Sequence, residues 1–354
     1  CHCLVGSEMC IRDSIFFLTI LIGLIIMGSF SFYIFQVMFS SNTNFQVNLK
    51  YIYIKTGTNY DDLIQQIKPD LINIDHFDVL AKRKMFKPKP GKYIIKKDMS
   101  NNEIINSLRS RNITVDVVFN HVKNINELAG IIGKQIELDS VSFLDFTKDI
   151  FFEKKGFDML NILSMYIPNS YNFYWNTDVK EFNERMFKEY TKFWELNGRK
   201  IKAKKIGMSE KEVMILASIV YEESNANIDL SRIAGVYINR LKNNWKLQAD
   251  PTVKYAAYQT KKYKGSVIKR VLNKHLKINS PYNTYKFYGL PPGLISMPSI
   301  QAIDAVLNYE KHNYFFFAAD PENPGKHIFA QTLSEHKKNA RKLHRYLNKK
   351  GIRR

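Results

Sequence analysis

Residues 15–39 read IFFLTILIGLIIMGSFSFYIFQVMF, with no charged residue, and none appears again before Lys50. An apolar helix of about 20 residues crosses the hydrocarbon core of a bilayer. A buried core helix of this length would carry a polar stripe, whereas Thr19, Ser29, Ser31 and Gln36 are scattered around this one. A cleavable signal peptide has a shorter apolar region and a small-residue cleavage site. A single uncleaved transmembrane helix is therefore expected at 15–39. Flanking charge orients it weakly, since Arg12 precedes it while Lys50 and Lys55 follow. The expected arrangement is a short cytoplasmic N-terminus and a long part on the extracytoplasmic side, giving a single-pass protein of the cell (inner) membrane. Residues 1–14, CHCLVGSEMCIRDS, differ in style from the rest, lack an initial Met and read as non-native. They hold Cys1, Cys3 and Cys10, whose spacing fits no zinc pattern.

The 354 residues suffice for two folded modules, and 53 Lys+Arg against 33 Asp+Glu leave a formal charge of +20. Such a charge fits an anionic partner: nucleic acid, a phospholipid surface or an acidic wall polymer. It also fits a merely solvated basic surface. Nucleic acid would require the basic face to lie on the cytoplasmic side, against the expected anchor, and is excluded. The eight histidines are scattered, with no H-E-x-x-H and no paired Cys/His spacing, so no metal is expected. No phosphate-cradling glycine loop and no G-x-S-x-G occur, and no cofactor is expected.

After a polar linker at 40–49, residues 51–55 read as a strand, and Gly57, Thr58 and Asn59 give a turn and cap before a helix through Leu63, Ile64 and Ile67. A second helix is predicted over 74–81 and a strand at 93–95. Ser100 with Glu103 is a capping-box signature for a helix through Ile104, Ile105 and Leu108. This βααβ succession over 50–111 resembles a small LysM-like module, a fold often used to hold amino-sugar polymers; a connector without a ligand fits the same pattern. Alternation of Ile113, Val115, Val117 and Phe119 with Thr114, Asp116 and Val118 opens a second module, 112–354, with a strand. Helices are predicted near 125–135, 141–152 and 179–196, and a turn-rich segment at 289–293. The fold class expected is α+β.

Ser209 with Glu212 is another capping box, so a helix begins at SEKEVMILASIVYEES, residues 209–224. Val213, Leu216, Ala217 and Val220 recur at helical spacing, and Glu223 continues their face. Glu222 lies over Ser218 and Lys211, a more polar row. A carboxylate on an apolar face is desolvated, which raises its pKa toward that of a general acid. By periodicity alone, Glu223 is equally an ordinary helix-end glutamate.

The segments that follow give it a context. ILASIVYEES precedes IAGVYINRL (233–241), LQADPTVKY (247–255), SPYNTYKFYGLPPGLISMPS (280–299), YFFFAAD (314–320) and HIFAQTLSEH (327–336). In this order and at these spacings the chain, over about residues 15–345, resembles the endolytic murein transglycosylases, the YceG-like family. The family helix reads L-A-S-I-V-E-x-E, and the position matching its catalytic second Glu is Glu223. Tyr221 stands where the family has the first Glu. IPNSYNFY (167–174) resembles the family's P-D-T-Y segment with Asn169 in place of Asp, and Ser299 stands where a glycine is usual.

What the resemblance implies is an enzyme that cuts the MurNAc-GlcNAc bond inside nascent peptidoglycan strands, near the peptidoglycan synthases, leaving 1,6-anhydroMurNAc ends and so limiting glycan length. A hydrolase needs two carboxylates flanking the bond. A lytic transglycosylase uses the muramic acid's own C6 hydroxyl, so one carboxyl, Glu223, serves first as acid and then as base. Asn239, Gln248, Asp250, Asn283, Thr284 and Tyr285 are candidate glycan hydrogen-bonding residues, and Tyr255 and Tyr288 candidate stacking residues; each has a structural alternative, such as a turn or cap at Asp250. His327 and His336 are read as structural. Two other readings remain: a non-catalytic wall-binding or scaffolding protein, and a hydrolase recruiting Asp250 or Glu222 as second carboxylate.

Overall fold

The computed structural model describes residues 3–110, 112–224, 228–268 and 270–349. Cys1 and the side chains of Cys3 and Cys10, read above as no zinc site, lie outside the described residues. The architecture is mixed α+β, dominated by helices, with three two-stranded sheets among the described residues. The chain divides into two compact units, one of residues 1–115 with 173–176, the other of 116–172 with 177–354.

The first unit begins with α1 (Cys3–Phe39), a helix reaching further back than the apolar run itself. Its residues 14–39, with a mean hydropathy of 2.4, are the one stretch among the described residues long and apolar enough to cross a membrane. At 1.5 Å per residue those 26 residues extend roughly 39 Å, more than a hydrocarbon core. Residues 14–36 are exposed, while Val37 is buried in the core of the first unit and Met38 packs against it.

Past α1 come β1 (Leu49–Ile54), α2 (Tyr60–Ile67), α3 (Ile74–Arg83), β2 (Gly91–Lys96) and α4 (Asn101–Arg109). β1 and β2 pair antiparallel, Leu49 opposite Lys96 and Ile54 opposite Gly91. The inward residues Ile52, Ile54, Tyr93 and Ile95 meet Leu63, Ile67, Phe77, Ile104 and Ile105 in one core. Local chemistry starts each helix: Asn59 and Asn73 cap α2 and α3, and Ser100 with Glu103 forms the full capping box of α4. The end of α1 is clasped by the same unit. Asn101 Nδ2 donates to Val37 O (2.9 Å), and Asn42 exchanges hydrogen bonds with Asn73 and Asn101.

Next along the chain come β3 (Thr114–Phe119), α5 (Ile125–Ile132), α6 (Ser140–Phe146), α7 (Ile150–Lys154), β4 (Asn169–Tyr174) and α8 (Val179–Glu195), all of the second unit except the first two residues of β3 and the last two of β4. β3 and β4 form a two-stranded sheet. The helix predicted over 141–152 is in fact two, because Asp149 accepts from the Phe151 N–H and caps a new start. There follow α9 (Arg199–Lys205), α10 (Glu210–Glu223), α11 (Leu230–Lys242), α12 (Asp250–Tyr258), α13 (Asn273–Leu276), α14 (Ile300–Leu307), β5 (Phe316–Ala319), β6 (His327–Ala330) and α15 (Leu333–Lys349). α10 is the hub, packed against α9, α11, α12 and α14. Residues 213–220 are buried on every side, including Ser218, whose hydroxyl bonds Ile215 O and accepts from Ile295 N–H. In place of the single apolar stripe read from spacing, the middle of α10 is buried all round, and only its first and last turns emerge. α11 approaches the 310–312 segment so closely that a Cβ on Gly235 would collide with Glu310 O and the His312 ring.

Candidate active site

The last turn of α10 brings Glu223 into a cavity of about 400 Å³ lined by Tyr237, Arg240, Gln248, Asp250, Tyr285, Phe316, Phe317, Leu333 and His336. α11 supplies Tyr237 and Arg240 three residues apart, so both lie on one helix face. The buried Tyr237 hydroxyl donates to Glu223 Oε1 at 2.7 Å. Arg240 is buried as well, with Nε on Phe315 O (2.8 Å) and Nη1 on Leu247 O, which joins α11 to β5 and the 247–250 turn.

Burial pushes the Glu223 carboxyl up to about 7; the Asp250 charge adds to the rise, while Tyr237, Lys254 and Arg240 oppose it. The side chain keeps partial contact with solvent through the cavity but is otherwise enclosed by protein. A carboxyl poised there is half protonated at neutral pH, as suits a group that must both give and take a proton. Burial also drives His336 below its ordinary range, helped by Arg240, so its imidazole is neutral. Among the described residues its Nδ1 is buried without a hydrogen-bond partner, and its ring stacks on Phe316 at 5.3 Å.

Glu222, one residue earlier, leaves α10 on another side. Its Oε1 lies 3.2 Å from His121 Nε2, while His121 Nδ1 lies 3.0 Å from Met297 O. Burial acts to raise Glu222, but the His121 contact holds it below the usual carboxylate range. The imidazole is correspondingly raised by that same contact. Neither residue lines the cavity.

The other residues singled out by sequence divide into two groups. Gln248, Asp250 and Tyr285 line the cavity with Glu223, and the Tyr285 hydroxyl donates to Asp250 Oδ1 at 2.7 Å. Gln248 sits at φ +48°, a left-handed backbone that non-glycine residues rarely adopt. Asn239, Asn283, Thr284, Tyr255 and Tyr288 stand outside the lining. Asn239 spends its amide on His312 O and Tyr314 O, and Asn283 spends its own on Leu276 O and Ile278 O. Buried Thr284 accepts from the Ala249 N–H and shares a hydrogen bond with Thr252, so it shapes the turn that carries Gln248 and Asp250. Tyr255 packs on Tyr282, and the exposed Tyr288 lies under the Lys246 ammonium. His327 stands away from the lining, its Nδ1 3.4 Å from Asp229 Oδ2. Among the described residues no group of three or more His, Cys, Asp or Glu is placed to hold a metal.

A family model of the YceG-like family matches residues 52–342, which takes in the first unit from within β1 onward, nearly all of the second and the whole cavity. The chain belongs to the YceG-like family. A protein named endolytic murein transglycosylase from Bacillus subtilis (strain 168) is 36% identical over 163 residues, 46% of this chain and 42% of that protein. Its namesake from Streptococcus pneumoniae (strain R6) is 31% identical over 172 residues, 49% of this chain and 30% of the other. The matched stretch thus spans less than half the length of these curated relatives. A crystal structure of a yceG-like protein from Listeria monocytogenes shares the fold, with a TM-score of 0.54 at 24% identity over 82% of this chain and 98% of that one.

Within this YceG-like site, the sequence alone assigned no role to Tyr237, Arg240, Phe316, Phe317 or Leu333, and His336, read as structural, lines the cavity with them. One signal was available for the first two: an Arg three residues after a Tyr on an otherwise apolar helix face must be paired when that face is buried. Phe316, Phe317, Leu333 and His336 lie in two of the segments that carry the family resemblance, but nothing local assigns them to the lining, because their position depends on how the β5–β6 hairpin packs.

Proposed function

We propose that this protein is a membrane-anchored endolytic lytic transglycosylase of peptidoglycan, with Glu223 as its acid and base. The observation that carries the reading is the Glu223 carboxyl, poised near neutrality and hydrogen-bonded by Tyr237, in the cavity of a YceG-like chain. Protonated Glu223 gives its proton to the glycosidic oxygen as the bond from muramic acid C1 to that oxygen breaks. The departing sugar leaves with a hydroxyl. The C6 hydroxyl of the same muramic acid then bonds to C1, and the Glu223 carboxylate takes its proton. A 1,6-anhydro ring forms, no water is consumed and the catalyst returns protonated. Tyr237 holds one carboxyl oxygen, which orients the other toward substrate and stabilises the carboxylate between the two transfers. Gln248, Asp250 and Tyr285 are placed to meet sugar hydroxyls and the N-acetyl group. Asn239, Asn283 and Thr284 serve by holding the walls in place.

Residues 15–39 would hold the enzyme in the cell membrane as a single span, with 50–111 as a LysM-like module and 112–354 as the catalytic module on the extracytoplasmic side. Cutting within nascent strands there, beside the synthases, would terminate glycan elongation.

The test is mass spectrometry of uncrosslinked glycan strands incubated with the full chain in detergent micelles, wild type beside Glu223→Gln. Internal cuts ending in 1,6-anhydro sugar, absent from the variant, are the expected result. Reducing ends would instead make Asp250 the second carboxylate of a hydrolase. Intact strands with a folded wild-type protein would leave a wall-binding or scaffolding role.

A further inference from the structure

The last turn of α10 leaves the buried part of the helix with three side chains, and each of them is tied. Glu223 is held by the Tyr237 hydroxyl. Tyr221 and Glu222 both meet His121: the Tyr221 ring lies 4.9 Å from the imidazole, and Glu222 Oε1 lies 3.2 Å from Nε2. His121 follows β3 and is itself anchored. Its Nδ1 faces Met297 O at 3.0 Å, while the Met297 N–H donates to Val122 O at 2.8 Å. The nearby Ile295 N–H donates to Ser218 of α10. One imidazole thus joins three chain segments at the turn that carries Glu223.

Its partners fix its protonation. A carbonyl oxygen only accepts, so Nδ1 carries a hydrogen. Nε2 faces a carboxylate oxygen, which also accepts, so that contact needs a second proton. The arrangement is therefore an imidazolium against a carboxylate. Lys123, Glu127 of α5 and Ser296 are the other polar groups that act on the pair; Lys123 favours the carboxylate and Glu127 the imidazolium. The opposite shifts of the two groups agree with the assignment.

We propose that His121 is a positioning residue for Glu223: clasped between Met297 O and Glu222, it fixes the last turn of α10 and so the direction in which the Glu223 carboxyl enters the cavity. The inference rests on the reading of Glu223 as acid and base. It adds a residue that acts from behind, since neither His121 nor Glu222 lines the cavity. A misplacement of about 1 Å costs on the order of a hundredfold in rate, so a clasp one residue from the acid has a large effect to exert. The clasp also depends on pH with a defined sign. His121 is raised above its ordinary value, so the imidazolium is complete in mildly acid solution and is lost as pH rises through the folded value.

Two variants separate the clasp from its charge. His121→Asn keeps a donor for Met297 O but withdraws the ring from Glu222 and Tyr221. Glu222→Gln keeps the link at any pH, because its amide N–H donates to Nε2 of a neutral imidazole. Anhydro-ended products from uncrosslinked strands are timed with the full chain in detergent micelles. His121→Asn should lower kcat by roughly ten- to a hundredfold with KM unchanged, while Glu222→Gln stays within about threefold of wild type. Hydrogen–deuterium exchange on the peptide covering 213–224 is followed in a Glu223→Gln background, where residue 223 does not titrate. Protection of the last turn, corrected for the intrinsic rate, should fall between pH 6 and pH 9. It should stay level when Glu222→Gln is added, and be low throughout with His121→Asn, with α8 unaffected in every case. A wild-type kcat in His121→Asn, or a loss confined to KM, would overturn the proposal. So would loosening of α8 together with the last turn, since His121 would then support the fold at large. A wild-type protein that leaves no anhydro ends would refute the reading of Glu223 instead, and the exchange measurement would still decide whether His121 holds the turn.

Discussion

Glu223→Gln should make the protein more stable, and by an amount that depends on pH. The wild-type carboxyl has a folded pKa of about 7 against 4.5 for an unperturbed glutamic acid. The folded state therefore prefers the protonated form. Its advantage is intact below the unfolded value and is lost as pH rises through the folded one. Linkage between those two values amounts to roughly 3 kcal/mol in full, of which about 2.5 is lost between pH 5 and pH 8. The side chain retains partial access to solvent through the cavity, so about 2 kcal/mol is the better expectation. Glutamine is close in shape, still accepts the Tyr237 hydrogen bond at Oε1, and does not titrate. The variant should therefore gain on the wild type as pH rises, with a Tm difference near zero to slightly positive at pH 5 and about 4–8 °C at pH 8. Intrinsic fluorescence melts of both proteins in the same detergent, at closely spaced pH values, measure it. Parallel curves for the two proteins would refute the reasoning, because they would mean that Glu223 ionises in the folded protein as easily as in water.

Tyr237→Phe keeps the ring against Phe317 but removes the donor to Glu223. A hydrogen bond to a carboxylate is worth about 1.5–3 kcal/mol, so the alkaline limb of the pH–rate profile should move up by roughly 1–2 pH units, with a lower maximal rate; an unmoved limb would argue against the contact. Gly235→Ala should destabilise by about 1–3 kcal/mol, since its methyl meets Glu310 O and the His312 ring, and denaturant midpoints compared at constant slope will measure the loss.

Much of the local structure was legible, because it is written in local chemistry. Ser100 with Glu103 and Ser209 with Glu212 announce their helices by side chains that bond the very N–H groups a helix start leaves open. Glu223 was singled out by its motif more than by its periodicity: residues 213–220 of α10 are buried all round, so spacing alone could not say which face mattered. The contrast between Gln248 and Asn239 shows where such reading stops. Both are amides in motif segments, yet one lines the cavity from a left-handed turn and the other is spent on two backbone carbonyls. Which of the two an amide does depends on partners far away in sequence. The same applies to Arg240, whose Nε is bonded to the distant Phe315 carbonyl.

The clasp at the end of α1 has a mechanical consequence. Asn42 ties the residue stretch after the apolar helix to α3 and α4, while Ser41 bridges to Ser100 and Thr43 to Leu71. A loose connector would let the first unit swing about the bilayer normal like a float on a line. A connector stitched at three successive residues behaves instead as the welded joint of a mast. Once α1 lies in a bilayer, the tilt of that helix sets the attitude of the β1–β2 ribbon and its packed helices. Any change in bilayer thickness that retilts α1 would then turn this unit with it.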